Sequence, residues 1–199
     1  MQHDFSRTRF TMNLAHTSPS LGRDLRALRT ARGLTLGAVA GSLGRSVGWL
    51  SQVERDISRP SFEDLQALAR LLGVPLSLFF GAAEAPMREA GRIVRAAARR
   101  TIGERDGGLS ESLLSPDLTD SFEMVHSVFA PGAARTEPVT RPTQEVAYMI
   151  SGRLDLWIGA ERFTVAAGDS FRIREEPFRW ANPYEDPAIA VWVISPPVY

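Results

Sequence analysis

Cysteine is absent from the 199-residue chain, which excludes a disulfide scaffold, a zinc–thiolate site and thiol catalysis. Lysine is absent as well: all 23 basic side chains are arginine. That bias fits a GC-rich genome, and it brings planar, bidentate contacts to phosphate and carboxylate. Histidine is scarce, with only His3, His16 and His126. No apolar run approaches the ~20 residues of a membrane span. Residues 1–19 lack the apolar segment and small-residue cleavage site of a secretory signal, so the expectation is a cytoplasmic protein with no membrane partner. What is present is a hydrophobic fraction of 44%, enough for packed cores and too much for wholesale disorder.

The 23 acids balance the 23 arginines, but unevenly along the chain. Residues 1–85 hold 10 Arg against 7 acids, residues 86–105 hold 6 against 2, and residues 106–199 hold 7 against 14. Net charges of +3, +4 and −7 imply two domains, the first with an anionic partner.

Residues 1–19 have no periodicity and read as a mobile arm. From 20 to 81 the pattern is helical and short-winded. Ser20 is a candidate N-cap for a helix carrying Leu21, Leu25 and Leu28 and stopping at Gly33. Thr35 caps a second helix with Val39, Ala40 and Leu43 inward, closed by Gly44. Ser46 caps a third, with Leu50 and Val53 on one face. Ser61-Phe62-Glu63-Asp64 forms a capping-box pattern before Leu65, Leu68, Ala69 and Leu72, and Gly73 ends that helix. Pro75 starts a fifth through Leu78 and Phe79. Residues 82–105 read as a linker with a hinge at Ala82–Pro86 and a first strand at Ile93-Val94-Arg95-Ala96. Beyond Gly107 short β-rich runs alternate with turns: 122–129, 146–150, 154–158, 163–165, 170–174 and 189–194. That rhythm predicts an all-β barrel or sandwich.

The run from Leu34-Thr35-Leu36 through Trp49-Leu50-Ser51-Gln52-Val53-Glu54-Arg55-Asp56-Ile57-Ser58-Arg59-Pro60-Ser61 resembles the XRE, or lambda-repressor-like, helix-turn-helix family. The resemblance implies a five-helix DNA-binding domain whose third helix enters the major groove. Carried onto this chain, the implied reading positions are Ser46, Val47, Gly48, Ser51 and Gln52, with Trp49 on the sugar-phosphate wall. Gln52 suits bidentate bonding to adenine and Val47 a thymine methyl. Thr35, Arg45 and Arg59 suit phosphates. Leu36 stands where the family often has glutamine, and Asp56 where it often has glycine. The family also pairs Glu54 with a helix-1 arginine, here Arg29.

Pro131-Gly132, Glu145 with Tyr148 and Gly152, Gly168-Asp169 and Asn182 resemble the cupin superfamily, a jelly-roll β-barrel also called a double-stranded β-helix. Metal cupins place histidines where this chain has Val139, Arg141 and Phe178, and only Glu145 of the ligand set remains. Four converging N/O/S donors are not available, so no metal, no cofactor and no enzymatic activity are expected. Period-2 alternation from Glu145 turns Thr143, Ala147 and Met149 inward; from Phe178 it turns in Trp180 and Asn182. Arg141, Glu145, Met149, Phe178 and Trp180 therefore form a candidate effector site, in which Arg141 suits a carboxylate or phosphate and Glu145 an amine. The plain alternative is a local Arg141–Glu145 ion pair with the aromatics filling the core.

Together these features imply a two-domain α + β regulator: 1–19 arm, 20–81 DNA-binding domain, 82–105 linker and first strand, 106–199 cupin domain. The expected partners are a pseudo-palindromic double-stranded operator, a small-molecule effector of anionic character if Arg141 binds it, and a second copy through the cupin domain. Repression is the expected direction. The competing readings are a cupin enzyme fused to a DNA-binding head and an antitoxin-like dimer with no effector.

Overall fold

The structure, a computed structural model, describes residues 21–80, 88–89, 91–102 and 106–197. Its first domain holds four α-helices: α1 (Leu21–Ala31), α2 (Leu36–Ser42), α3 (Val47–Val53) and α4 (Phe62–Leu72). Each of the last three opens on a side-chain cap. Thr35 accepts from Ala38 N, Ser46 from Trp49 N, and Ser61 from Asp64 N. The capping box at Ser61 is complete, because the Asp64 carboxylate returns to the Ser61 amide. Gly73 ends α4 in the left-handed region at φ +62. Leu25, Leu28, Leu50, Leu65, Leu68 and Leu72 fill the core between the helices. Candidate cap Ser20 and the hinge at 82–86 lie outside the described residues.

The fifth helix is corrected to a single 3-10 turn, Leu76–Phe79. Between Gly73 and the extended Phe80 only six residues remain, and Pro75 supplies no N–H. Two spacings in this domain are decided by backbone approach. Gly22 lies against the end of α3, where a Cβ would meet Val53 O at 2.4 Å. Asp56 takes φ +57, the conformation glycine favours, and its carboxylate accepts from Gly22 N at 2.8 Å. The substitution of aspartate for glycine thus keeps the turn and adds a tie to α1.

The second domain is two antiparallel sheets. Its strands are β1 (Arg100–Ile102), β2 (Leu109–Leu113), β3 (Glu123–Phe129), β4 (Ala134–Val139), β5 (Gln144–Ser151), β6 (Arg153–Ile158), β7 (Glu161–Ala166), β8 (Ser170–Arg174), β9 (Phe178–Ala181) and β10 (Ala188–Ser195). They order as β1-β2-β3-β10-β5-β8 and β4-β9-β6-β7. Among the described residues no strand pairing joins the two sheets, so the expected closed barrel is a two-sheet structure. Alternation holds cleanly on β3, β5 and β10, whose odd or even set is buried.

The first strand is corrected too. Ile93, exposed, and Arg95, which binds Glu89, precede a 3-10 turn at Ala96–Ala98, and pairing begins only at Arg100 opposite Leu113. Strands β2, β4 and β9 carried little sequence signal. β4 is an edge strand, the position in a sheet that tolerates Pro138, and its pairing with β9 is irregular between Arg135 and Val139.

The domains meet at the β1–β2 end. Leu113 and Leu118 belong to the helical core, and Ile102 touches both cores. Arg100 Nη2 pairs with Asp24 of α1, both side chains 13% exposed. No helix among the described residues is long and apolar enough to cross a membrane.

Replacing Gly22 with alanine should cost about 1–3 kcal/mol through overpacking. Urea unfolding would read this as a lower midpoint at unchanged slope; an unaltered midpoint would refute the close approach. A second expectation concerns acid. Burial opposes ionisation of Asp64, yet the Arg45 guanidinium and the Ser61 amide and hydroxyl hold its carboxyl below the ordinary range. A depressed carboxylate stabilises the fold above its unfolded value, about 3.9, and that stabilisation is lost as pH falls through the folded value. Asp64→Asn should therefore lower stability at pH 7 and flatten its decline below about pH 4, measured by thermal unfolding across pH.

Candidate functional site

On α3, Leu50 and Val53 are buried beneath the helix while Val47, Gly48 and Gln52 face outward. Val47 is 49% exposed, unusual for valine on a packed helix. Ser51 is half-buried. Gln52 Oε1 accepts from the Ser58 hydroxyl at 2.8 Å, which fixes the oxygen and leaves the NH₂ without a hydrogen bond among the described residues. Such a side chain donates to one base-edge acceptor and still has an oxygen lone pair for a donor, the pattern adenine presents. Ser58 went unnoticed in the sequence because it lies six residues away, across the turn after α3.

Ser46 and Thr35 are exposed, with hydroxyls that cap their own helices. Arg45 turns out to serve the fold as well. Its Nε and Nη2 bind Asp64 at 3.0 Å each, and its guanidinium lies 5.2 Å over the Trp49 ring. Nη1 is left over, on a side chain 47% exposed. Trp49 packs partly on the helical core. Leu36, in the place of the family's glutamine, also packs there. Arg59 is exposed, as are Arg23, Arg26 and Arg55 of the same domain. Exposed arginines favour anionic partners.

Inside the second domain, Arg141, Glu145 and Phe178 come together. Arg141 Nη1 stands 3.6 Å from Glu145 Oε1 and its guanidinium 5.9 Å from the Phe178 ring centre. Thr143 donates to the same Glu145 oxygen at 2.7 Å. Glu145 is 2% exposed. Met149 and Trp180 are not part of this cluster. Met149 lies four residues further along β5, wholly buried, and Trp180 packs edge-on against Phe129 at 4.7 Å. Asn182 ties loops together through Phe129 O and Asp186 O. Two inner residues carried no sequence signal: Glu123, buried in register with Ile194 and Glu145, and Trp192, on the neighbouring pair.

A transition metal does not fit this donor set. The four positions offer a valine methyl, a guanidinium, a phenyl ring and one carboxylate already hydrogen-bonded to Thr143. His126 sits on the opposite, outer face of β3, its pKa lowered by burial and by the charge of Arg99. His3 and His16 lie outside the described residues.

Comparison with known proteins agrees with both domains. A helix-turn-helix domain model matches residues 20–79 and a cupin domain model residues 125–194. The HTH-type transcriptional regulator PuuR of Escherichia coli (strain K12) is 26% identical over 155 residues, covering 76% of this chain and 81% of that protein. The transcriptional regulator ClgR of Mycobacterium tuberculosis is 34% identical over 97 residues, covering 48% of this chain and 87% of that protein. A solved HTH_3 family transcriptional regulator from Vibrio cholerae covers 92% of this chain and 98% of its own, at 22% identity and a TM-score of 0.43. With a helix-turn-helix domain followed by a cupin domain, the chain belongs to the XRE-like helix-turn-helix transcriptional regulators that carry a cupin domain.

Proposed function

We propose that this DNA-binding regulator occupies a pseudo-palindromic operator as a homodimer and represses transcription under the control of a small molecule held in its cupin domain. Residues 20–81 form the reading head, 82–105 join it to the cupin domain at 106–199, and 1–19 are an arm. The observation that carries the reading is the outward face of α3, where Val47, Gly48, Ser51 and Gln52 follow the Ser46 cap. Thr35, Arg45, Trp49 and Arg59 flank it as backbone contacts, Arg45 through Nη1 alone. Two heads would read half-sites about one helical turn, ~34 Å, apart.

Dimerisation is assigned to the outer face of the six-stranded sheet. Val146, Tyr148, Ile150 and Val193 are 41–51% exposed there, and Val193 lies opposite Val146 and Val191 opposite Tyr148. Monomeric proteins seldom expose so contiguous an apolar patch. A flat, self-matching face suits a two-fold contact. The cupin domain would act as a sensor and not as an enzyme, since its donor set lacks metal ligands. An effector at Arg141, Glu145 and Phe178, with Met149 and Trp180 further along the interior and outside the contact, would shift the heads through the β1–β2 seam. That requires different affinity for the two arrangements. The close packing of Trp180 on Phe129 favours a second reading, in which the cupin domain only dimerises.

Gln52→Ala should lose about 1–3 kcal/mol of discrimination at one base pair of each half-site, with non-specific affinity retained. Fluorescence anisotropy on operator variants measures this; unchanged preference removes Gln52 from the reading face. Tyr148→Glu should convert the dimer to a folded monomer in sedimentation velocity and weaken operator binding. A persistent dimer would move the interface elsewhere.

A further inference from the structure

The effector site has a further group for which the local fold has no use. Trp192 of β10 is 94% buried (6% exposed), its ring set edge-on against Phe171 at 5.3 Å, yet its indole Nε1 has no hydrogen-bond partner among the described residues. An indole N–H can only donate, and buried donors are nearly always paired. Trp192 stands opposite Ala147, and the next inner pair along the same two strands is Ile194 opposite Glu145. The indole and the Glu145 carboxylate are thus diagonal neighbours on one sheet face, about 7–8 Å apart at the backbone and within reach of one small molecule.

Glu145 is itself only half engaged. Oε1 takes the Thr143 hydroxyl and the Arg141 guanidinium, while Oε2 accepts no hydrogen bond among the described residues. Arg141 is one-third exposed and leans over the Phe178 ring, so it lies between solvent and the interior. The polar end of the sheet interior therefore offers a carboxylate oxygen, a guanidinium fork and a lone indole donor, beside apolar Phe178 and Ile194.

Resting on the effector reading above, we propose that this end of the cupin interior binds a small zwitterion, a compact molecule bearing one amine and one carboxylate. The Arg141–Glu145 pair is neutral as a unit, and the buried Glu123, across Ile194 in the same inner row, has a partner of its own. A simple anion would sit well on Arg141 and Trp192 but face the Glu145 charge, and a simple amine would face Arg141. Each adds a net charge to an enclosed site, where an unpaired ion is costly. A zwitterion adds none. Its carboxylate takes the Arg141 fork and the Trp192 N–H, its ammonium takes Glu145 Oε2, and its short carbon spacer lies on Phe178 and Ile194.

The test uses the full-length protein with glycine, β-alanine and γ-aminobutyrate, which differ in amine–carboxylate spacing, against acetate and methylamine singly and together. Thermal unfolding and titration calorimetry at millimolar ligand should show a saturable rise in Tm with at least one zwitterion and none with the separate halves. Trp192→Phe keeps the ring and removes the donor; it should weaken that zwitterion about two- to tenfold, the worth of one hydrogen bond, with the apo Tm unchanged or raised. Glu145→Gln should abolish the preference for zwitterion over acetate. Acetate binding as tightly as the zwitterions, or Trp192→Phe binding them as the wild type does, overturns the assignment while leaving the effector reading standing. A flat response to all these probes overturns the zwitterion, and a flat response to a wider metabolite library takes the effector reading with it.

Discussion

A single guanidinium holds the reading head in shape. Arg29 gives Nε and Nη2 to the two oxygens of Glu54 at 2.6 and 3.0 Å, and Nη1 to Leu34 O at 2.8 Å. One side chain of α1 thereby fastens both the α1–α2 turn and the end of α3. The pair is largely enclosed, with side chains 13% and 6% exposed. Removing one partner would strand a charge, at a cost of about 3–5 kcal/mol. Gly22 and Asp56 reinforce the same junction by bringing backbone to backbone. With the base of α3 clamped in this way, its outward residues are held as a fixed set, and a partner that docks on them is spared the entropy cost of ordering the helix.

Arginine carries nearly every such junction. Arg45 binds Asp64 between the α2–α3 turn and α4, Arg100 binds Asp24 between the domains, and Arg162 binds the buried Asp155 on β6. Asp155 also receives the Thr164 and Tyr184 hydroxyls, and these bonds outweigh its burial to keep the carboxyl below its ordinary range. A planar fork with several donors suits these enclosed carboxylates better than a lysine point charge would. The positive balance of the first half therefore divides into two groups. Arg29 and most of Arg45 are consumed by the fold, whereas Arg23, Arg26, Arg55 and Arg59 remain exposed at the surface.

The seam between domains gives the regulatory reading its physical route. Leu113 and Leu118 are chain neighbours of the β-sheet but members of the helical core. Leu113 is paired in register with Val125, and Val125 with Trp192, so the strand that enters the head's core is two ladders from the polar interior. A shift in β10 has packed neighbours to push against all the way to α1. Packed interiors pass on displacement because they contain little free volume to absorb it.

Local chemistry alone determined a good deal of this protein. Ser46, Thr35 and the Ser61 capping box mark their helices because a cap is a bond between near neighbours, and the alternation from Thr143 to Met149 names its own buried face because the strand period is two. The loss of metal ligands was equally plain, since a valine or a phenylalanine is the wrong donor wherever it points. Tertiary structure decided the rest. It reduced the fifth helix to one 3-10 turn, placed β1 at Arg100, and left two sheets where a closed barrel was expected. It also turned Arg45 toward Asp64, set Asp56 on α1, and left the Trp192 N–H without a partner among the described residues. These depend on contacts between residues far apart in the chain, such as Arg100 and Asp24 at a separation of 76, and no local pattern encodes which distant side chain will arrive.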